Sequence, residues 1–126
     1  MFEKKILVVD DEKDTLALLE KRLTVAGYVV IKADNGKDAI SLAKTSKPDL
    51  ILLDIMMPIM DGGEVAAILK NDPATKDIPV IFLTCLFTKT DEAQEGHTSG
   101  GNFFIAKPYN PQELLGEIKQ QLRFHP

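Results

Sequence analysis

Three aspartates, a threonine and a lysine are the residues of this chain whose placement could do chemistry. Asp10 and Asp11 follow the apolar run Ile6-Leu7-Val8-Val9, Asp54 follows Leu50-Ile51-Leu52-Leu53, Thr84 follows Val80-Ile81-Phe82-Leu83, and Lys107 comes just past Phe103-Phe104-Ile105. Carboxylates gathered in one place repel one another, and a divalent cation is the usual remedy. The donors on offer are oxygens, with no His or Cys at metal spacing. That set favours Mg²⁺, which takes one or two carboxylates and leaves its other positions to water or phosphate oxygens. A carboxylate beside such an ion and an ammonium can act as a nucleophile toward phosphorus. The ion and Lys107 would neutralise charge on the transferring phosphoryl group, leaving positioning and electrostatics as the main catalytic terms.

Each residue also has a plainer reading. Asp10 or Asp11 could cap the helix that follows. Asp54 could open a turn, Thr84 could be a strand-end hydroxyl, and Lys107 a solvated surface lysine. Their joint placement at strand ends decides against four separate accidents.

The elements that must position these residues alternate along the chain. Short, wholly apolar runs suit strands buried on both faces. Ile6–Val9, Tyr28–Ile31, Leu50–Leu53, Val80–Leu83 and Phe103–Ile105 read as five strands. Between them, Leu16, Leu19, Leu23 and Ala26 recur at helical spacing, with Gly27 as a stop. Ala39, Ile40 and Ala43 predict a second helix closed before Pro48, and Val65, Ile68 and Leu69 a third after an Asp61-Gly62-Gly63 turn. Thr88–Ser99 is expected as a fourth helix, although it is polar and runs into Gly100-Gly101. Asn110-Pro111-Gln112-Glu113 carries helix-start signals, with Asn as cap, Pro in the first turn and Glu for a capping box. Leu114, Leu115, Ile118 and Leu122 follow.

Five strands alternating with five helices predict a parallel sheet with helices on both faces. The expected fold is flavodoxin-like, a three-layer α/β/α sandwich with strand order 2-1-3-4-5. In such sheets ligands bind beyond the carboxyl ends of the strands, where strand order reverses. The five chemical residues all fall near that edge. With 126 residues the chain fits one domain, 1–126 with a core of about 4–122, and leaves no room for a second.

Composition narrows the function further. A net charge of −4 argues against a general nucleic-acid or membrane-surface binder, which would carry a basic patch. The single cysteine, Cys85, cannot form an internal disulfide, so a reducing cytoplasm is the expected compartment. No stretch approaches the length of a membrane span, and Lys4-Lys5 precedes too short an apolar run for a signal peptide. No Gly-x-Gly-x-x-Gly or P-loop is present to cradle a nucleotide. A haloacid-dehalogenase-like phosphatase would need Asp-x-Asp after the first strand, where this chain has adjacent aspartates.

Four segments resemble the receiver family of two-component response regulators, in that family's order and spacing. They are Ile6 to Glu12, Asp49 to Pro58 with Met60-Asp61-Gly62, Pro79 to Thr84, and Lys107-Pro108. Each is weak alone; the combination is specific and covers essentially the whole chain. The resemblance implies that Asp54 is the phosphoacceptor, taking a phosphoryl group from a phosphohistidine on a sensor kinase or histidine phosphotransfer protein. It implies that Asp11 and Asp54 bind Mg²⁺ with the backbone carbonyl of Met56, Asp10 acting nearby or through water. Lys107 would pair with a phosphoryl oxygen, with Lys107-Pro108 as a cis peptide. Thr84 and Phe104 would be the switch pair, moving together to alter the surface of the fourth helix, fifth strand and fifth helix. The output would be a population shift read by a downstream protein target or output domain, or by a phosphorylation-linked homodimer, and not a released product. The alternative is a pseudo-receiver, a protein-binding platform that takes no phosphate. The initial methionine and the helix ending near Arg123 favour a stand-alone regulator.

The chain departs from the family's pattern at several places. Phe104 lacks the hydroxyl of the commoner tyrosine. Ile59 stands where glycine is common, and Gly63 where an apolar residue is common, which bears on turn geometry. Cys85 replaces a small residue and reads as packing. Met56 and Leu86, two residues after Asp54 and Thr84, flank the implied water path and are both apolar, so slow self-dephosphorylation is expected. The cluster Met56, Met57 and Met60 reads as packing, as does Tyr109, and His97 and His125 read as surface residues.

Overall fold

The computed structural model of the protein describes residues 3–84, 98–99, 102–106 and 109–124. Elements run β1 (Lys5–Val9), α1 (Lys13–Val25), β2 (Val29–Ala33), α2 (Gly36–Ser46), β3 (Leu50–Asp54), α3 (Gly62–Lys70), β4 (Val80–Thr84), β5 (Thr98–Ser99), β6 (Asn102–Ala106) and α4 (Pro111–Phe124). The sheet order is β2-β1-β3-β4-β6-β5. Five of the strands are parallel to one another, and β5 pairs antiparallel with β6 as a two-residue edge. Leaving that edge aside, the order is the expected 2-1-3-4-5, and the fold is the flavodoxin-like sandwich.

Alternation along each strand divides the core into two halves. Ile6, Val8, Leu50, Leu52, Ile81 and Leu83 pack with Leu16, Leu19 and Leu23 of α1 and Leu114, Ile118 and Leu122 of α4. Leu7, Val9, Ile51, Leu53, Val80 and Phe82 pack with Ala39 and Ala43 of α2 and Val65, Ala66 and Leu69 of α3. β1 and β3 are buried on both faces, which is why their sequences are apolar runs without alternation. Each such leucine or isoleucine contributes roughly 1.5–3 kcal/mol of burial. The central strands are therefore the fixed frame on which the site stands. Among the described residues no helix is long and apolar enough to cross a membrane.

The helix ends follow local chemistry. Asn35 caps α2 by accepting the Asp38 N–H at 2.8 Å, and α2 stops at Lys47, which adopts φ 49° ahead of Pro48. Gly27, at φ 100°, ends the α1 turn as a left-handed residue suited to glycine. Asn110 starts α4 as expected, its side chain accepting from the Gln112 N–H at 2.8 Å and the Glu113 N–H at 3.3 Å.

Two expectations need correction. The Asp61-Gly62-Gly63 segment is not a turn before α3: both glycines are already helical. Asp61 and Glu64 form a reciprocal capping box, the Glu64 N–H donating to Asp61 Oδ1 at 2.9 Å and the Asp61 N–H to Glu64 Oε1 at 3.3 Å. The helix expected over Thr88–Ser99 does not reach its predicted end, because Thr98–Ser99 pairs with Asn102–Phe103 as β5; residues 88–97 lie outside the described residues.

Candidate functional site

Register brings the aspartates together. Val9 is paired with Leu53 across β1 and β3, so the next residues, Asp10 and Asp54, emerge side by side at the carboxyl edge, with Asp11 one residue on. Adjacent strands are about 4.8 Å apart. One carboxylate oxygen from each of Asp10, Asp11 and Asp54 lies within 4.8 Å of the others. Asp10 and Asp54 are buried, at 1% and 5% exposure, whereas Asp11 is exposed. Two carboxylates held almost out of water, with a third at the mouth, line an acidic cleft.

The cleft is tied down by backbone contacts. Asp10 Oδ1 accepts the Glu12 N–H at 2.9 Å, and Asp10 N–H donates to the Ala33 carbonyl at 3.2 Å. The N-cap of α1 is Glu12, which makes no side-chain cap bond, so neither Asp10 nor Asp11 serves as the cap that their plainer reading assigned. Asp54 Oδ1 accepts the Met56 N–H at 3.3 Å. The Ile55 carbonyl accepts two donors, Met57 N–H at 3.1 Å and Gly62 N–H at 3.0 Å. The loop that follows Asp54 is thereby folded back against the start of α3.

Gly62 makes that return possible, and sequence reading gave it no role beyond a turn. A Cβ there would lie 2.5 Å from the Asp54 carbonyl oxygen and 2.8 Å from Ile55 Cα. The sequence signal was present as Asp-Gly followed by Glu at capping-box spacing. What it could not display is that α3 begins in contact with the backbone of β3.

Ile59 answers the question of turn geometry. It sits at φ 69° and is fully exposed, at 103%, while Met60 N–H donates to the Pro58 carbonyl at 2.7 Å across it. A β-branched residue in the left-handed region is strained by about 1–2 kcal/mol. Replacing Ile59 by Gly is therefore expected to stabilise the fold by about 0.5–1 kcal/mol, after allowing for the freer unfolded chain. Urea unfolding checks this; an unchanged or lower midpoint would show that the turn carries no strain.

The methionines divide. Met57 is buried, at 8%, and belongs to the α2/α3 half of the core. Met60 is half-buried there, close enough to Gly36 that a Cβ on that glycine would meet its Sδ at 2.8 Å. Met56 is instead 54% exposed, beside the acidic cleft and not in the core. Tyr109 packs against the α1/α4 half, as expected. Thr84 ends β4, in register with Ala106, the last residue of β6. Lys107 and Pro108 lie outside the described residues, as do Cys85, Leu86, His97 and His125. Phe104 is half-buried and stacks on Phe82 with ring centroids 5.0 Å apart and an interplanar angle of 20°.

The donor set suits Mg²⁺ on its chemistry and spacing: all three side chains offer oxygen, and opposite ligands of an octahedral ion stand roughly 4 Å apart. No His or Cys joins the group among the described residues.

Comparison with known proteins agrees with this arrangement. The model of the response regulator receiver domain matches residues 6–119. The response regulator PleD of Caulobacter vibrioides is 42% identical over 120 residues, covering 95% of this chain and 26% of PleD. The phosphate regulon transcriptional regulatory protein PhoB of Pseudomonas aeruginosa is 41% identical over 123 residues, covering 98% of this chain and 53% of PhoB. Among solved structures, the chemotaxis protein CheY4 of Vibrio cholerae superposes with a TM-score of 0.81 at 30% identity, covering 94% of this chain and 98% of that one. The chain spans about half the length, or less, of the curated relatives it matches. A match along nearly the whole chain, the shared fold and the acidic cleft at the switch point lead to one conclusion: this chain belongs to the receiver-domain family of two-component response regulators.

Proposed function

We propose that the chain is a live phosphoacceptor. A carboxylate oxygen of Asp54 attacks the phosphorus of a phosphohistidine on a sensor histidine kinase or histidine phosphotransfer protein. A P–O bond forms, the P–N bond breaks, and the imidazole leaves. The observation that carries this reading is the convergence of Asp10, Asp11 and Asp54 within one ion's reach. Asp11 and Asp54 would hold Mg²⁺ with the Met56 carbonyl, Asp10 assisting directly or through water. Bound there, Mg²⁺ supplies charge neutralisation for the entering phosphoryl group. Burial of Asp54 excludes bulk water and strengthens each electrostatic contact in the cleft, and the Met56 N–H fixes the carboxylate's orientation. Lys107 would pair with a phosphoryl oxygen, and Thr84 would bring its hydroxyl to the same group. Movement of Thr84 with Phe104 then alters the surface near β6 and α4, to which a downstream protein, an output domain or a second copy responds. The protein is on this reading a phosphorelay acceptor working in the cytoplasm, and not an enzyme in the ordinary sense.

Beryllofluoride with Mg²⁺ separates this reading from a pseudo-receiver. A saturable change in the amide spectrum of wild type, absent in Asp54→Ala, is the expected result. Wild type that ignores the mimic would make the chain a binding platform.

The exposed Met56 sets the lifetime of the phosphorylated form. Its thioether cannot orient a hydrolytic water as an amide could. Met56→Asn is expected to speed loss of the phosphoryl group by about fivefold, the worth of one hydrogen bond of ~1 kcal/mol. Timing dephosphorylation tests this, and an unchanged rate would remove the idea.

A further inference from the structure

We propose that Phe82 and Gly63 are positioning residues for the switch ring of Phe104: Phe82 holds the ring against the sheet, and Gly63 leaves open the groove beside it. The inference rests on the phosphoacceptor reading above and names how this chain sets its own switch.

Three observations meet here. Phe82 and Phe104 are register partners on parallel strands β4 and β6, and their rings are stacked at 5.0 Å. Phe82 is only 3% exposed, so it is part of the fixed core, whereas Phe104 is half-buried and packs on that core from its margin. The fixed ring is thus the platform and the marginal ring the mobile member. Offset stacking needs no hydroxyl, so this platform acts on a phenylalanine as well as on a tyrosine.

The third observation is a groove of about 330 Å³ lined by Ile55, Gly63, Ala66, Ala67, Phe82 and Phe104, with Lys70 also at its wall. Gly63 is not required by its backbone. Its φ is not left-handed, and a Cβ would meet only Asp61 Oδ1, at 3.3 Å. Glycine in a helix costs stability relative to alanine. What it supplies in return is space: any long apolar side chain at position 63 would occupy the groove that borders the Phe104 ring. Gly63 and Ile55 also lie on the two sides of the loop that leaves Asp54, so the groove connects the acceptor's own backbone to the ring.

Removing the platform while keeping an apolar side chain, as in Phe82→Leu, is expected to lower the ratio of seated to unseated Phe104 ring by roughly 2- to 10-fold, the worth of an aromatic pair. Filling the groove with Gly63→Leu is expected to fix the ring in one position. Selective labelling of phenylalanine rings and NMR read both effects, with and without Mg²⁺ and beryllofluoride. Without the mimic, wild type should show a ring-current shift at Phe104 that Phe82→Leu abolishes and Phe82→Tyr retains. With it, Phe82→Leu should shift the beryllofluoride concentration for half-saturation several-fold from wild type, and Gly63→Leu should bind it with no change in the Phe104 signal. A Phe104 signal indifferent to both substitutions, or saturation curves that superpose on wild type, would overturn the proposal. The arm without mimic stands even if Asp54 proves unreactive. The tolerated variants Phe82→Tyr and Gly63→Ala keep the test open should Phe82→Leu or Gly63→Leu fail to fold.

Discussion

Gly62→Ala is expected to destabilise the protein by about 3 kcal/mol, toward the upper end for overpacking, and to lower Tm by roughly 10 °C for a domain of this size. The added methyl would stand 2.5 Å from the Asp54 carbonyl oxygen and 2.8 Å from Ile55 Cα. Neither atom can yield cheaply. Asp54 ends β3, the strand paired on both sides with β1 and β4, and the Ile55 carbonyl already accepts from Met57 and Gly62. The first turn of α3 must therefore move away, drawing with it the loop that carries Met56. Gly63→Ala is the control. Its methyl meets only the capping oxygen Asp61 Oδ1, at 3.3 Å, a contact that a few tenths of an ångström relieves, and helix propensity favours it by up to ~1 kcal/mol. Equal losses in the two variants would show that close approach at Gly62 is not what the glycine serves.

The second large effect concerns the cation. On the proposed reading, Mg²⁺ binds the folded cleft and finds no such cluster in the unfolded chain. At ten times its dissociation constant it should stabilise the fold by about 1.4 kcal/mol, or roughly 5 °C in Tm. Asp11 is exposed at the mouth of the cleft, so Asp11→Asn should leave the metal-free melting temperature within about 2 °C of wild type, as surface changes do, and remove most of the Mg²⁺-dependent rise. Differential scanning calorimetry with Mg²⁺ and with EDTA measures both. An undiminished rise in Asp11→Asn would place the ion elsewhere.

Much of this was legible in the sequence because it depends on period and register. Runs such as Ile6–Val9 and Leu50–Leu53 declare strands buried on both faces, and a residue that ends such a run must appear at the sheet edge. Asp10 and Asp54 were therefore placed by counting. What counting could not give was contact between elements. Gly62 and Gly63 look alike in sequence, yet one lies against the backbone of Asp54 and the other borders a groove. The stack of Phe104 on Phe82 depends on the register of β4 with β6, a pairing between distant segments that no local period displays. Ile59 stands where the family commonly has glycine, and its positive φ reflects the demand of a tight turn overriding residue preference. Thr98–Ser99, the expected end of the polar fourth helix, instead took the edge of β6.

On the proposed reading Asp54, gathered with Asp10 and Asp11 around one cation, takes a phosphoryl group. Incubation with acetyl phosphate and Mg²⁺, followed by borohydride reduction and peptide mass spectrometry, tests it at the level of the residue. The prediction is a single phosphoryl addition in the intact protein and reductive trapping at position 54, both lost with EDTA and in Asp54→Ala. A protein that stays unmodified under these conditions, or one labelled at another residue with Asp54 untouched, would contradict it.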